Sequence, residues 1–485
     1  MKVSWKNVLF STHTKPAYMP PPKYGNRMVV CGPHYQTARD RDGNITSVQT
    51  PARQPYDIAS LIAALPAHQK PDLLIVRVDA GMENMPENLA AVDVPKLAIL
   101  GDSHHLQAPI QTLLSYALRQ NFDFLVLDHN RQHAHWYVEA GLRNVVWIPA
   151  LLLAKDFIPP VISPEQVITF IGQVGSFHPH RSRLIRHIQS LDLPMALDLV
   201  PHSQAAGRYN RSSITLNCSL NGDLNLRVFE TLAAGGMLMT DRLSPLSGLY
   251  SLFSEGEEFV DYDSHDEFVD KAKHYLANPA ERNQVAKRGF NNICRLMNMH
   301  SRTRTLDNLV KKGRIDPLFT IDSDLRMAAY GCRSKADLFF RISVYEWVQE
   351  LHRQFDGIRV INTTSGDIRI TCDLADLPRL SLFSQVSEHN RNIVAQSGLA
   401  QVVSFFGNTS ELPATTGRSI IICSATQLQD QLEVYDPVAV IISDFNELDE
   451  QKKLALGARL AATGYEFGPG FAGLATRPQH WPVVT

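Results

Sequence analysis

Tyr209-Asn210-Arg211-Ser212-Ser213-Ile214-Thr215-Leu216-Asn217-Cys218-Ser219, continuing Leu220-Asn221-Gly222-Asp223-Leu224-Asn225-Leu226-Arg227-Val228-Phe229-Glu230-Thr231-Leu232-Ala233-Ala234-Gly235-Gly236, is the most informative stretch of this 485-residue chain. It reads as a strand over Ser213–Leu216, a polar glycine-containing loop, and a helix over Leu226–Ala234 closed by two glycines. Backbone N–H groups at such a helix start bind phosphate oxygens. Arg227 in the first turn adds a charge-assisted contact. Glu230, one turn later, is placed to accept hydrogen bonds from sugar hydroxyls. Gly235-Gly236 ends the helix and lets it approach the sheet closely. The plainer reading is an ordinary strand–helix unit with a surface Arg–Glu pair.

The same cadence extends in both directions. Upstream, Val8-Leu9-Phe10, Leu73-Leu74-Ile75-Val76, Leu97-Ala98-Ile99-Leu100, Phe124-Leu125-Val126-Leu127 and Val145-Val146-Trp147-Ile148 are short apolar runs separated by helical patterns. Runs apolar on both faces suit a parallel sheet covered on both sides. Asp57 is placed to cap a helix carrying Ile58, Leu61, Ile62 and Leu65. Val167–Ile171 opens a second such unit after a proline-rich linker, Asp156 to Pro164. A third begins after the linker Asp316–Tyr330, with strands expected at Ile358–Ile361, Ile420–Ile422 and Val438–Ile442. The expected fold is α/β with three Rossmann-like domains: residues 1–160, 161–312 and 313–485.

The composition is that of a globular protein: 44% hydrophobic and 20% charged residues. Lys plus Arg is 47 and Asp plus Glu 49, a net charge of −2. A near-neutral chain lacks the large basic excess that suggests non-specific binding to nucleic acid or anionic lipid; a local patch is left open, and no nucleic-acid partner is expected. The six cysteines form no zinc or redox spacing. No signal peptide or membrane span is read, and a reducing, cytoplasmic location is expected.

The run Asn225-Leu226-Arg227-Val228-Phe229-Glu230, then Ala233-Ala234-Gly235-Gly236 and Thr240-Asp241, resembles the group-1 glycosyltransferases of GT-B fold, most of all their spore-maturation CgeB-type branch. Gly256–Val260, Asn278–Arg282, His300–Arg304, Ala140-Gly141 and Phe170-Ile171-Gly172 agree with it. The resemblance covers roughly Leu97 to Leu309. It implies two facing Rossmann-like domains, the second holding a nucleotide-sugar donor and the first admitting a glycan, protein or other acceptor. It also implies that the helix near His300–Val310 returns to the first domain. Carried over, Glu230 meets the donor ribose, Arg227 the diphosphate, and the loop Gly172-Gln173-Val174-Gly175-Ser176 lines the phosphates. Arg181, Asp223 and Asn225 complete the expected donor-binding set. Many group-1 members carry a Glu eight positions before the ribose Glu; Gly222 stands there, beside Asp223. No cofactor is expected beyond the nucleotide sugar as co-substrate.

A second candidate site is Gly101-Asp102-Ser103-His104-His105, directly after a strand run. Ligands bind at the carboxyl ends of strands in open α/β sheets. Asp102, His104 and His105 there supply a general base for an acceptor hydroxyl; alternatively Asp102 or Ser103 caps the next helix and the histidines are solvated. Arg181 faces either a diphosphate or solvent. His129, His133 and His135 are not read as a metal site. Asp261-Tyr262-Asp263 and Asp322-Ser323-Asp324 have a metal-binding spacing, but no metal is expected and transfer is expected to be metal-independent.

The C-terminal part resembles a methyltransferase fold in cadence. Its first loop, Asn362-Thr363-Thr364-Ser365-Gly366-Asp367, has one glycine, too few for a cofactor to approach the backbone closely. A degenerate methyltransferase-like accessory domain and an unrelated α/β domain remain open. The function expected is glycosyl transfer from a nucleotide-activated donor. The alternatives are a non-catalytic glycan- or protein-binding scaffold and a bifunctional glycosyltransferase and methyltransferase.

Overall fold

The structure is a computed structural model. It describes residues 5–17, 21, 23–150, 157–297, 299–315, 317–321, 326, 334–355, 357–364, 367–407, 409–412, 418–435, 437–467 and 473–476. The chain divides into two compact units. One runs to Ile321 without residues 138–140 and 243–246; the other holds those two stretches and Asp322–Thr485.

The first unit is built on two sheets. In the larger, the strands are β1 (Asn7–Ser11), β2 (Arg27–Gly32), β3 (Ala38–Arg39), β4 (Ile45–Gln49), β6 (Leu73–Val78), β8 (Lys96–Leu100), β9 (Phe124–Leu127) and β10 (Val145–Trp147), and β5 (Pro55–Asp57) and β7 (Met85–Glu87) form a small separate pair. The order is β10-β9-β8-β6-β1-β2-β4-β3, parallel except for β3 against β4. β1, β6 and β8 are buried at every position, as expected of strands covered on both faces. The second sheet holds β11 (Glu165–Ile171), β12 (Met195–Asp198), β13 (Ser212–Leu216), β14 (Leu238–Asp241) and β15 (Val260–Tyr262), all parallel, in the order β12-β11-β13-β14-β15.

Local chemistry sets the helix starts. Asp57 accepts hydrogen bonds from the N–H groups of Ala59 and Ser60 and opens the helix Ile58–Ala64. Pro109, Pro179 and Pro279 each take the first helical position, where no N–H is needed. Leu306 and Leu309, on the helix Met299–Lys312, pack into the core of the first sheet with Val8, Phe10, Leu73 and Ile99. The helix returns to the first domain, as the resemblance implies.

Tyr209–Arg211 end the helix His202–Arg211, and Tyr209 is buried against Ile171 and Ala234. Two readings of the sequence are corrected. The segment after residue 156 is packed as well as connecting: Ile158 N–H donates to Ala233 O, and Pro159 O accepts from Asn210. Gly235 is close to this segment rather than to the sheet. Its φ is +67°, and a Cβ there would lie 2.6 Å from Ile158 O and from Pro160 N. Gly235→Ala is therefore expected to cost at least about 1–2 kcal/mol from the left-handed backbone alone, with the collision adding to it. Urea unfolding of the variant checks this, and an unchanged midpoint would contradict the packing.

The second unit carries β16 (Arg359–Asn362), β17 (Ser381–Gln385), β18 (Val403–Phe406), β19 (Ser419–Cys423), β20 (Ala439–Ile442), β21 (Glu466–Phe467) and β22 (Leu474–Thr476). Their order is β18-β17-β16-β19-β20-β22-β21, with only β22 antiparallel to its neighbours. Two ion pairs are buried in this unit, Arg326–Asp376 (2.9 Å) and Arg341–Asp373 (2.8 Å). At the switch point between β16 and β19 the polar groups satisfy one another. Thr363 Oγ1 donates to Ile422 O, Asn362 Nδ2 to Asp367 O and Thr371 Oγ1, and Thr364 Oγ1 to Asn362 Oδ1. Ser365 and Gly366 of the glycine-poor loop, and Asp322–Asp324, lie outside the described residues.

Candidate active site

In the second sheet the strand order reverses between β11 and β13, the place where α/β sheets open a crevice at their carboxyl ends. Two arginines span it. Arg227 donates from Nε to Ile171 O (2.8 Å) at the end of β11 and from Nη1 to Asn217 Oδ1 (2.6 Å) just past β13. Arg181 donates from Nη1 to Gln173 O and from Nη2 to Cys218 O, both at 2.9 Å. Both guanidinium groups lie over the buried Phe170 ring, 4.5 Å (Arg227) and 5.1 Å (Arg181) from its centroid. Arg181 is 6% exposed, so it does not face solvent. Burial, and then the neighbouring Arg227 charge, lower its pKa. Its Nε is buried without a hydrogen-bond partner among the described residues. Two cations held on carbonyl oxygens and an aromatic face make a site short of negative charge.

Gly172 makes room for them. Its φ is +145°, and a Cβ would lie 2.5 Å from Arg227 Nη2. Gly175 is open, and its carbonyl accepts from His178 N–H and Ser182 Oγ at the start of the helix Pro179–Ser190. Asn225 precedes the helix Leu226–Ala233 without capping it through its side chain, and its Oδ1 is buried without a partner. Glu230 is half-exposed on that helix.

The loop between Arg227 and β13 turns through Asn221 (φ +59°) and Gly222 (φ +83°). Asp241 fixes its start, accepting from Ser219 N–H and Oγ, and Asp223 Oδ1 accepts from Leu220 N–H at 2.6 Å. This loop meets the first sheet. Asn221 Nδ2 donates to His104 O (2.7 Å), Gln132 Nε2 to Gly222 O (3.0 Å), and His104 Nε2 lies 3.5 Å from Asp223 Oδ2.

Around His104 the carboxyl edge of the first sheet is a continuous polar network. His104 Nδ1 accepts from Asn130 Nδ2 (3.1 Å), which leaves the proton on Nε2, the nitrogen that faces Asp223 Oδ2 at 3.5 Å. Burial pushes the His104 pKa well down and that of Asp223 up, so the imidazole is neutral. Ser103 Oγ bonds His133 Nδ1 at 2.9 Å. His129 sits between Asp128 (3.6 Å) and Asp102 (3.8 Å); burial opposes its charge, but the two carboxylates prevail and raise its pKa. Asp102 is partly exposed; desolvation opposes its charge, but His129, His104 and His105 outweigh it and hold its carboxyl well below the usual range. Neither Asp102 nor Ser103 caps a helix: the next one starts at Pro109 after Ala108, with no side-chain cap. Asp102, His104 and His105 each bring one ligand atom within 4.8 Å of the others. Asp261, by contrast, is tied to Arg242 (3.0 Å) and Tyr250 (2.9 Å), and Asp263 to Arg242 (3.6 Å), so this Asp-x-Asp is an ion-pair cluster.

The structure thus brings Arg181, Arg227 and Gly172 together at one crevice and Asp102, His104 and His105 at another, with His104 and Asp223 joining them. The sequence reading missed His13, Arg77, Asp79 and Asp128. His13 Nε2 lies 3.0 Å from Asp79 Oδ2, and Arg77 reaches His13 (3.1 Å), Thr14 (3.1 Å) and Asp128 (3.4 Å). Gly101 leaves space for Arg77, whose Nη2 would lie 3.1 Å from a Cβ there. Each of these residues sits near the end of an apolar strand run, but no spacing within the sequence links one to another.

No helix among the described residues is long and apolar enough to cross a membrane. No curated protein matches the chain. Solved structures similar to it include sucrose-phosphate synthase from Thermosynechococcus elongatus, at 10% identity and a TM-score of 0.46 over 63% of this chain and 98% of that one. Anabaena HepE in complex with UDP and glucose is similar at 12% identity and a TM-score of 0.46, over 63% of this chain and all of that one. A glycosyltransferase from Rickettsia africae is similar at 10% identity, with a TM-score of 0.46 over 64% of this chain and 98% of that one. From before β12 to the helix that returns to the first sheet, residues 192–309 match the family model described as glycosyl transferase-like, and this part of the chain is a glycosyltransferase-family segment.

Proposed function

We propose that the protein transfers a sugar from a nucleotide-activated donor to a hydroxyl-bearing acceptor, and that its donor site is the crevice between β11 and β13. The observation that carries this is the pair Arg181 and Arg227 over Phe170, beside Gly172, within and beside the glycosyltransferase-family segment. A leaving nucleoside diphosphate is the anion such a pair suits. In this reading Arg227 and the Gly172–Gly175 loop take the diphosphate, Glu230 takes the ribose, and Asn225 Oδ1 is open to a donor hydroxyl. Asp223 acts by holding His104 rather than by touching the donor. The Asp102–His105 loop borders the acceptor, a glycan or protein. The match of Arg227, Glu230 and Gly235-Gly236 to the CgeB-type pattern supports that branch.

The C-terminal unit is a methyltransferase-like accessory domain in this reading. Its strand order supports it, and the mutual satisfaction of Asn362, Thr363 and Thr364 supports the loss of cofactor binding.

A panel of UDP-glucose, GDP-mannose, ADP-glucose and dTDP-glucose, read by thermal shift and by nucleotide release, tests the function. A ligand at 100 times its Kd stabilises by about 2.7 kcal/mol, and one of the four is expected to do so. No shift and no release with any of them would favour the non-catalytic scaffold. Charge stabilisation by Arg181, Arg227 and the start of the helix Leu226–Ala233 makes transfer metal-independent in this reading. EDTA is therefore expected to leave nucleotide release unchanged. Release lost on chelation and restored by manganese would place an ion at Asp102, His104 and His105.

A further inference from the structure

Glu258 lies two residues before β15, at the amino end of a parallel sheet whose crevice opens at the carboxyl ends. There the segment 250–258 and the helix Pro279–Met297 line a groove of about 640 Å³ that shares no residue with either crevice. Its floor is fixed before any ligand arrives. Asn292 Nδ2 donates to Leu252 O and to Glu258 Oε2, both at 2.9 Å, and Glu258 Oε2 also accepts from Ser254 N–H at 2.9 Å. Gly289 lets the helix settle onto this segment, since a Cβ there would collide with Glu258 O and the Leu232 side chain.

The wall above the floor is open. Arg288, Asn291 and Arg295 stand on one face of the helix, three and four residues apart, and all three are exposed. Arg288 meets Glu257 only at 3.7 Å, with both side chains well exposed. Arg295 gives one bond to Asn292 Oδ1 and has further N–H groups to offer. Two guanidinium groups and two carboxylates leave the groove with no net formal charge. A phosphate chain would meet Glu257 and Glu258 as well as the arginines. An apolar ligand would strip water from four charges and return nothing. A peptide would need apolar anchor pockets, and the groove's Leu252 and Phe253 are themselves buried. A sugar hydroxyl donates and accepts at once, so it can engage amide, guanidinium and carboxylate in turn.

We propose that this groove binds a neutral oligosaccharide. The binding itself does not depend on the donor crevice: a protein that held glycans and transferred nothing would still use it. Combined with the transferase reading above, on which this second step rests, it makes the acceptor a glycan, gripped at the groove by sugars other than the one that reacts.

The test uses the full chain on an array of neutral gluco-, manno-, galacto-, xylo- and chito-oligosaccharides, with hyaluronan and polygalacturonate fragments as acidic members. Wild type is expected to bind at least one neutral member, and calorimetry then gives its affinity. Asn291→Ala combined with Arg295→Ala is expected to weaken that affinity by about 10-fold or more, with an unchanged urea midpoint to show that the variant is folded. Arg227→Ala is expected to bind the same glycan as wild type does. No neutral member bound, or acidic members alone, overturns the proposal. So does full affinity in the double variant. Affinity lost in Arg227→Ala and kept in the double variant would put the glycan in the donor crevice, overturning the groove and not the transferase reading. Glycan binding that follows the groove, in a protein that neither releases nucleotide nor binds a nucleoside diphosphate, overturns the transferase reading and leaves the groove standing.

Discussion

Arg227→Ala is expected to raise the dissociation constant of a nucleoside diphosphate by about 10- to 150-fold, the equivalent of losing one hydrogen bond between charged groups at about 1.5–3 kcal/mol. The nucleoside alone should bind nearly as before, because the guanidinium addresses the phosphates. Two facts single out Arg227. Its Nε and Nη1 are committed to Ile171 O and Asn217 Oδ1, so the group is held before any ligand arrives. Its Nη2 lies on the Gly172 side of the crevice. Arg181 is the poorer probe, since it is itself buried where Arg227 is only partly so, and its removal would disturb the packing over Phe170 as well as the charge. Calorimetry with diphosphate and nucleoside separates the outcomes. Equal losses for both ligands would make Arg227 a strut between β11 and β13 and no more.

What the sequence made legible follows from how sheets and sites are encoded. β1, β6, β8 and β9 appear as apolar runs because parallel strands are covered on both faces. Edge strands do not: β12 is no more than half-buried at any position and β18 is mixed, so neither carries such a run. Arg227 and Glu230 were legible because they lie one turn apart within a single helix. His13 and Asp79 were not, because their contact closes over 66 residues and a lone histidine after a three-residue apolar run has no spacing to announce it. Arg181 shows a further limit. Its position at a helix start was readable, but whether it faced solvent or the crevice depended on Phe170, which is on another strand.

His104 joins the two crevices, and its neutral state gives the junction a pH dependence. An unfolded histidine takes a proton near pH 6.5. Folded His104 does not, because burial, and then the neighbouring His105, hold its pKa well down. The unfolded state therefore binds more protons below pH 6.5, and stability falls as pH falls, by about 1.4 kcal/mol per unit for this group. His178, pushed down to about 4 by burial and Arg181, acts in the same sense from pH 6.5 to that value. His129 has a raised pKa, so its contribution is already fully present below 6.5 and does not change in this window. Asp223, also raised, opposes the loss, gaining a proton in the folded state first. From pH 6.5 to 5 the His104 share is about 2 kcal/mol. His104→Gln keeps a donor for Asp223 and an acceptor for Asn130 but cannot titrate. Hydrogen exchange of the segments 101–106 and 219–224, corrected for the intrinsic pH dependence of exchange, is expected to show protection falling more steeply with acidification in wild type than in this variant. Parallel slopes would mean that His104 takes up its proton in the folded protein and stays paired with Asp223 as an ion.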